Sequence, residues 1–459
     1  MSRLLSPPRV GFVSLGCPKN LVDTEIMLAH LRRAGCELSR DPGDADVIVI
    51  NTCGFIEAAR RESIDTILEM AEHKKTGRCR RLVVAGCLVQ RYHAQLRAEI
   101  PEIDSFISLD ELERIVEAVK TDLRARAADP ATLISGAARA LYDHTQPRAL
   151  ATLPHLAYLK IAEGCDHPCA FCAIPSMRGA MRSRSVDSLR IEAEDLAARG
   201  VKEIILIAQD TTDYGRDLAD GTDLPRLLRS LEEVKALEWI RIHYAYPNRI
   251  TPALLAAMAD SRKVCRYLDI PLQHADAGIL KAMKRGGSRR IFGEMVSGIR
   301  EILPDCALRT TFIVGFPGES EAAFQELAGF LEETRFDHVG VFTYSHEEGT
   351  AAFALQDDVP AGLKEERRCR LMEMQARISW ENHRSLLGRT LTTRVDGPDA
   401  GDADRLAGRL ASQAPDVDAR VLIVGAQARA GELVPVLIEQ AHAYDLVGRI
   451  ASGRPAAAH

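Results

Sequence analysis

The stretch GCDHPCAFCAI, residues 164–174, sets Cys165, Cys169 and Cys172 within eight residues, with Phe171 just before the last of them. Three soft thiolates at that spacing suit an iron–sulfur cluster or a zinc ion. A 4Fe-4S cube held by three cysteines leaves one iron without a protein ligand, and a cofactor or substrate can coordinate there. A zinc knot would need a fourth ligand, for which His167 and His155 are the nearby candidates. The sequence around the stretch weighs between them.

Working outward, short runs rich in Val, Ile and Leu at 156–161, 202–208, 238–244, 265–270, 306–314 and 337–344 alternate with amphipathic segments. The segments carry helix-end signals: Thr251 as N-cap before Pro252, and Gly200 closing a helix that begins near Asp187. Such alternation predicts a parallel sheet. Six units are too few for a closed eight-stranded barrel, so a partial (β/α)6 TIM-like barrel is expected, with its site at the carboxyl ends of the strands. The cysteine stretch follows the first of these strands directly, at that edge.

A length of 459 residues exceeds what one hydrophobic core usually serves, so about two to four domains are expected. No apolar run approaches the ~18 residues of a membrane span, and Pro7 and Pro8 interrupt any leader-like run at the start. A cytoplasmic location is therefore expected. Net charge of −6 argues against the chain as a whole coating nucleic acid. Eleven cysteines, an odd number, speak for metal-binding or reactive thiols over a disulfide framework. Cys36, Cys79, Cys265, Cys306 and Cys369 read individually as small buried hydrophobes.

A second set is more informative. The strand-like runs RVGFVSL, DVIVIN and RLVVAG lead into Cys17, Cys53 and Cys87, which are 36 and 34 residues apart. Helices are expected at 21–34, closed by Gly35, and at 57–73. If the three strands are parallel neighbours in an open α/β sheet, all three thiols emerge at one carboxyl edge, where such sheets bind ligands. The adjacent Gly16, Gly54 and Gly86 would let the backbone approach a ligand closely.

The 164–174 motif resembles the signature of the radical S-adenosylmethionine enzymes, and the pairing of two cysteine triads resembles the methylthiotransferase family within them. The resemblance implies a radical cluster on Cys165, Cys169 and Cys172 that binds S-adenosyl-L-methionine. It also implies an auxiliary 4Fe-4S cluster on Cys17, Cys53 and Cys87, the two facing one another across a single cavity. Phe171 would pack near the cofactor. RTTFIVGFPGE, 309–319, is similar to the family's turn beside the adenosyl group, which makes Arg309, Gly315 and Pro317 expected cofactor contacts. LIAQDTTDYG, 206–215, looks like the second-strand stretch that adds Gln209 and Asp210, and it departs from the Gly-Gly-Glu of many radical enzymes. No acid–base catalytic residue is expected, since acid–base groups cannot remove hydrogen from an unactivated carbon and a cofactor must carry that chemistry.

After a polar helix at 362–387, short alternating runs with Gly, Pro and Asp between them predict a small antiparallel β-barrel. It resembles the TRAM module that ends these enzymes. Residues 383–452 hold eight Arg and no Lys against seven Asp and two Glu, with Tyr444 the only aromatic. An RNA-binding surface should be basic and offer rings for stacking, so direct RNA binding is not expected and a basic protein is the better partner.

Within the family, SLGCPKNLVDTE at 14–25, GCDHPCAFCAIPSMRG at 164–179, YLDIPLQHA at 267–275 and RFDHVGVFTYSHEEGT at 335–350 are similar to the branch that modifies a protein. That implies methylthiolation of the β-carbon of an aspartate in small-subunit ribosomal protein S-twelve, with flavodoxin or ferredoxin as electron donor. The branch acting on transfer RNA adenosine would be favoured if Arg384, Arg389, Arg394 and Arg409 shared one face. A non-enzymatic iron–sulfur carrier or redox sensor gives no reason for a cofactor-binding barrel. The expected α/β multidomain organisation is an N-terminal open parallel sheet (1–140), the radical barrel (151–382) and the TRAM barrel (383–452), with the first and third domains both at the barrel mouth.

Overall fold

The computed structural model describes residues 7–120, 131–136, 138–425 and 427–451. The chain forms two compact units: Met1–Ala151 with Ala162–His167 and Cys172–Arg184, and Thr152–Ile161 with Pro168–Phe171 and Ser185–His459.

The first unit is built on six parallel strands, β1 (Arg9–Ser14), β2 (Glu37–Ser39), β3 (Val47–Thr52), β4 (Arg81–Gly86), β5 (Ser105–Ile107) and β6 (Ala131–Leu133), ordered β2-β1-β3-β4-β5-β6. Every residue of β3 and β4 is buried, which is why both read as near-continuous apolar runs. Alternate residues serve opposite faces: Val47 and Val49 pack with Met27, Leu31 and Ile115, while Ile48 and Ile50 pack with Ile67, Leu82 and Leu88. Helices α1 (Pro18–Arg33), α2 (Glu57–Thr76) and α3 (Cys87–Glu99) follow β1, β3 and β4. The unit also holds α4 (Ile174–Arg178) and a short antiparallel pair, 162–163 with 182–183.

The second unit contains β7 (Leu156–Lys160), β8 (Glu203–Ile207), β9 (Trp239–Ile242), β10 (Val264–Asp269), β11 (Ala307–Val314) and β12 (His338–Thr343), all parallel and each beside its sequence neighbour. Each expected strand is found within two residues of its expected ends. Side chains of Ser185, Asp223, Thr251, Asp276, Ser288 and Ser320 cap the helices between them. The sheet stays open, as expected of six strand–helix units in place of eight.

Helix α5 (Ala361–Arg384) leads into a closed barrel of β13 (Thr390–Asp399), β14 (Asp402–Leu410), β15 (Val421–Val424), β16 (Leu433–Ala441) and β17 (Leu446–Ile450). The expected antiparallel pairing holds except between β15 and β17, which are parallel. A ring of five strands cannot alternate direction all the way round, so one pair must run parallel.

Cys36, Cys79, Cys265 and Cys306 are buried as expected, but Cys369 is exposed. The buried face of α5 carries Lys364, Arg367, Leu371, Gln375 and Ile378, and position 369 falls off that helical stripe.

The C-terminal barrel packs against the sheet of its own unit through buried charge. Fully buried Glu203 receives Arg241 Nε at 3.1 Å and Arg409 Nη2 at 2.9 Å, and Arg409 Nε also reaches Asp396 at 2.7 Å. Arg394 lies over the Trp239 ring, 4.4 Å from its centroid. Asp418 binds Arg309 Nε at 3.2 Å and accepts from the Tyr267 hydroxyl at 2.7 Å. Glu203, Trp239 and His338 are the first residues of their strands, and His338 Nε2 lies 2.9 Å from the Ser412 carbonyl. These contacts lie towards the amino ends of the strands, which corrects the expectation that the third domain lies at the carboxyl-edge mouth. No helix among the described residues is long and apolar enough to cross a membrane.

Candidate iron–sulfur and cofactor site

In the first unit, Ser14 pairs with Asn51 and Thr52 with Gly86, so the carboxyl ends of β1, β3 and β4 lie side by side. Cys17 caps α1, Cys53 follows β3, and Cys87 opens α3. The glycines between strand and cysteine are required by the chain itself. Gly16, at φ +90°, would place a Cβ 2.8 Å from Cys53 Cβ, and Gly86, at φ +99°, would place one 2.3 Å from Asn51 Oδ1. A Cβ on Gly54 would lie 2.9 Å from Leu88 Cα. Polar side chains pin the turns: Asn20 Nδ2 donates to the Leu15 and Thr52 carbonyls at 3.0 and 2.9 Å. Ser63 Oγ accepts from the Cys53 amide at 3.1 Å and donates to its carbonyl at 2.8 Å.

Two of the three thiols are shifted by burial and by their neighbours. Burial pushes the Cys87 thiol up to about 12 against the opposing pull of Arg178, and Cys17 and Cys53 each push it further. Burial likewise raises Cys53, with Cys17 adding to the effect. Clustered, partly desolvated thiols of this kind are poor bare thiolates, and metal coordination is the ordinary remedy. The donor set fits an iron–sulfur cluster.

Sequence reasoning missed Arg178, at the end of α4. Its Nη2 donates to Asn20 Oδ1 at 2.9 Å, Asp23 Oδ2 at 3.0 Å and Cys87 Sγ at 3.4 Å, while Nη1 donates to Glu163 Oε1 at 2.9 Å. The side chain is 3% exposed. Ala173, Ile174 and Met177 pack beside it against Phe55, Cys87, Leu109 and Ala138.

Around the 164–174 stretch, the Cys165 amide donates to the Gly179 carbonyl at 3.1 Å. Gly164 is at φ +82°, and a Cβ there would lie 2.0 Å from the Ala180 carbonyl oxygen. Cys172 lies just ahead of α4. Cys169 belongs to the second unit, where Arg285 Nη1 donates to its Sγ at 3.4 Å. Arg285, also unforeseen, is buried, donates to the Pro271 carbonyl at 2.7 Å and lies 4.3 Å from the Tyr246 ring centroid. Phe171 packs against a cluster that includes Ile279, Met283, Phe316 and Tyr344. Local spacing marks neither arginine as a partner of its sulfur, because each meets it across roughly 90 residues or more of chain, although Arg178 lies within the quoted 164–179 motif.

Gln209 and Asp210 follow β8 at its carboxyl end, where expected. Asp210 Oδ1 accepts from the Thr212 amide at 2.8 Å and its hydroxyl at 2.6 Å, shaping the turn. The other expected cofactor contacts have structural partners of their own. Arg309 is held by Asp269 and Asp418. Gly315, at φ +74°, leaves room for Lys364, whose Cγ would lie 2.2 Å from an added Cβ. Pro317 borders a cleft with Asp276, Ile279 and Ala323. Two non-glycine residues in the left-handed region, Tyr244 (φ 62°) and Gln273 (φ 72°), lie just past the carboxyl ends of β9 and β10, and backbone strain of this kind collects at functional edges.

Comparison with known proteins agrees with this layout. Residues 9–108 match the Uncharacterized protein family UPF0004, residues 159–331 the Radical SAM superfamily and residues 387–451 the TRAM domain. The ribosomal protein uS12 methylthiotransferase RimO of Koribacter versatilis (strain Ellin345) is 45% identical over 97% of this chain and 96% of its own length. That of Solibacter usitatus (strain Ellin6076) is 47% identical over 96% and 94%. Among solved structures, the radical S-adenosylmethionine methyltransferase TsrM from Kitasatospora setae, with cobalamin and a 4Fe-4S cluster bound, superposes with a TM-score of 0.52. It is 13% identical, covers 85% of this chain and 82% of its own, and is a likeness of fold. With near-full-length relatives at this identity, the chain belongs to the RimO family of ribosomal protein uS12 methylthiotransferases.

Proposed function

We propose that this enzyme methylthiolates the β-carbon of an aspartate in ribosomal protein uS12. The observation that carries the reading is the alignment of Cys17, Cys53 and Cys87 on three adjacent parallel strand ends, in a chain that also has the Cys165, Cys169 and Cys172 motif. Cys165, Cys169 and Cys172 would hold the radical cluster, and Cys17, Cys53 and Cys87 the auxiliary one. When bound, S-adenosyl-L-methionine on the reduced cluster supplies the radical chemistry that an unactivated carbon demands. The chain's own residues bind and orient. Arg285 would fix the Cys169 sulfur, Phe171 would shield the cofactor from water, and Gln209 and Asp210 would line the carboxyl edge beside it.

The division of labour runs along three segments, 1–140, 151–382 and 383–452. A low-potential donor such as flavodoxin or ferredoxin would deliver electrons in the cytoplasm. Activity on transfer RNA is disfavoured because Arg394 and Arg409 are buried and engaged by Glu203, Glu238 and Asp396, which leaves them unavailable to phosphate. Anaerobic protein given S-adenosyl-L-methionine and dithionite should release 5'-deoxyadenosine, which a carrier or sensor would not. In cells lacking the gene, uS12 should lose the mass of one SCH2 unit, and an unchanged mass overturns the assignment.

A further inference from the structure

Arg178 is a buried cation that touches both the auxiliary triad and the chain on either side of the radical motif. Its partners Asn20 and Asp23 lie in the first turns of α1, just after Cys17; Glu163 lies two residues before Cys165; and Arg178 itself lies six residues after Cys172. The same Nη2 that bonds Asn20 and Asp23 also donates to Cys87 Sγ at 3.4 Å. Two carboxylates and the guanidinium are therefore among the fixed charges beside the triad. A plain anchor between segments would be satisfied by Asp23 and Glu163 and would not need the sulfur.

We infer that Arg178 is a positioning residue that sets the reduction potential of the cluster on Cys17, Cys53 and Cys87. The inference rests on the proposed role of those cysteines. A cluster's potential follows the charge around it and the hydrogen bonds to its sulfurs. Reduction adds an electron, so a buried positive charge against a ligating sulfur favours the reduced form, and interactions at this range are little screened by water. Because the Arg178 helix directly follows the radical motif, movement of that loop would also move the charge at the other triad.

The test uses full-length protein in which Cys165, Cys169 and Cys172 are all changed to Ala, so that iron can bind only at the other triad. After anaerobic reconstitution, iron and sulfide content and an EPR-monitored redox titration are read in this background and with Arg178→Gln, Arg178→Lys and Asp23→Asn added. Arg178→Gln should move the midpoint to more negative potential, and Arg178→Lys should restore part of the shift. Asp23→Asn, which removes a negative charge from the same group, should move it in the positive direction. A structural role alone gives no reason for opposite signs. Iron bound with an unmoved midpoint, or with both charge variants shifting the same way, overturns the inference. Absence of iron from the background protein overturns instead the assignment of Cys17, Cys53 and Cys87 as ligands. If Arg178→Gln fails to fold, the sign of the Asp23→Asn shift decides alone: positive supports, unmoved or negative overturns.

Discussion

Replacing Glu203 with Gln should loosen the C-terminal barrel from the sheet it covers. Burial alone would raise the Glu203 carboxyl, but Arg409 and Arg241, with Arg394 behind them, overcome it and hold the group at about 2, against an ordinary 4.5. At about 1.4 kcal/mol per tenfold, that difference corresponds to roughly 3 kcal/mol of folded-state stabilisation, close to the ~3–5 kcal/mol usual for breaking a buried ion pair. The folded pKa is depressed, so the contribution is complete above about pH 4.5 and is lost as pH falls from there towards 2. Trp239, under Arg394, reports this junction by fluorescence; changing Trp380, the only other tryptophan, to Phe isolates the signal. In urea at neutral pH the Glu203→Gln protein should lose about 3 kcal/mol in the Trp239 transition, and its stability should fall less steeply between pH 4.5 and 2 than the parent's. A variant within about 0.5 kcal/mol of the parent, with an unchanged acid limb, would refute the reasoning.

Other outcomes follow from the site. Cys53→Ala should keep reductive cleavage of S-adenosyl-L-methionine yet abolish methylthiolation of uS12; loss of both in a folded protein would sink the two-cluster division of labour. Gly86→Ala should cost at least the ~1–2 kcal/mol of a left-handed non-glycine residue, more because the new Cβ meets Asn51 and the Thr52 carbonyl, and should lower iron content. Gly35→Ala, at φ +78° in open space, isolates the backbone cost and should leave iron content unchanged. Filter binding should show transfer RNA held only at the non-specific level of roughly 10⁻⁴–10⁻⁶ M at physiological salt, and submicromolar retention there would revive the RNA reading.

Periodicity made the architecture legible before folding. Val47–Thr52 and Arg81–Gly86 are buried throughout and so are written as apolar runs, and their ends announce where Cys53 and Cys87 must emerge. Of the six central strands, β11 alternates buried and half-buried residues, whereas β7, β8 and β9 are legible for the same reason. Partners across long stretches of chain were not. Arg409 finds Glu203 206 residues away, and Arg178 finds Asn20 158 residues away, with no local pattern to mark either. This is also why counting charge over 383–452 is an incomplete route to the choice of partner. The count treats Arg394, Arg409, Asp396 and Asp418 as surface groups facing a partner, whereas they face Glu203, Glu238, His155, Arg309 and Tyr267 within the same unit. Removing these inward-facing groups takes equal numbers of both signs, so the remaining surface keeps its slight negative balance. On that balance a basic surface is the better electrostatic match for the barrel, and the acidic groups left to face outward include Asp402, Asp404 and Glu439, which lie outside the buried cluster.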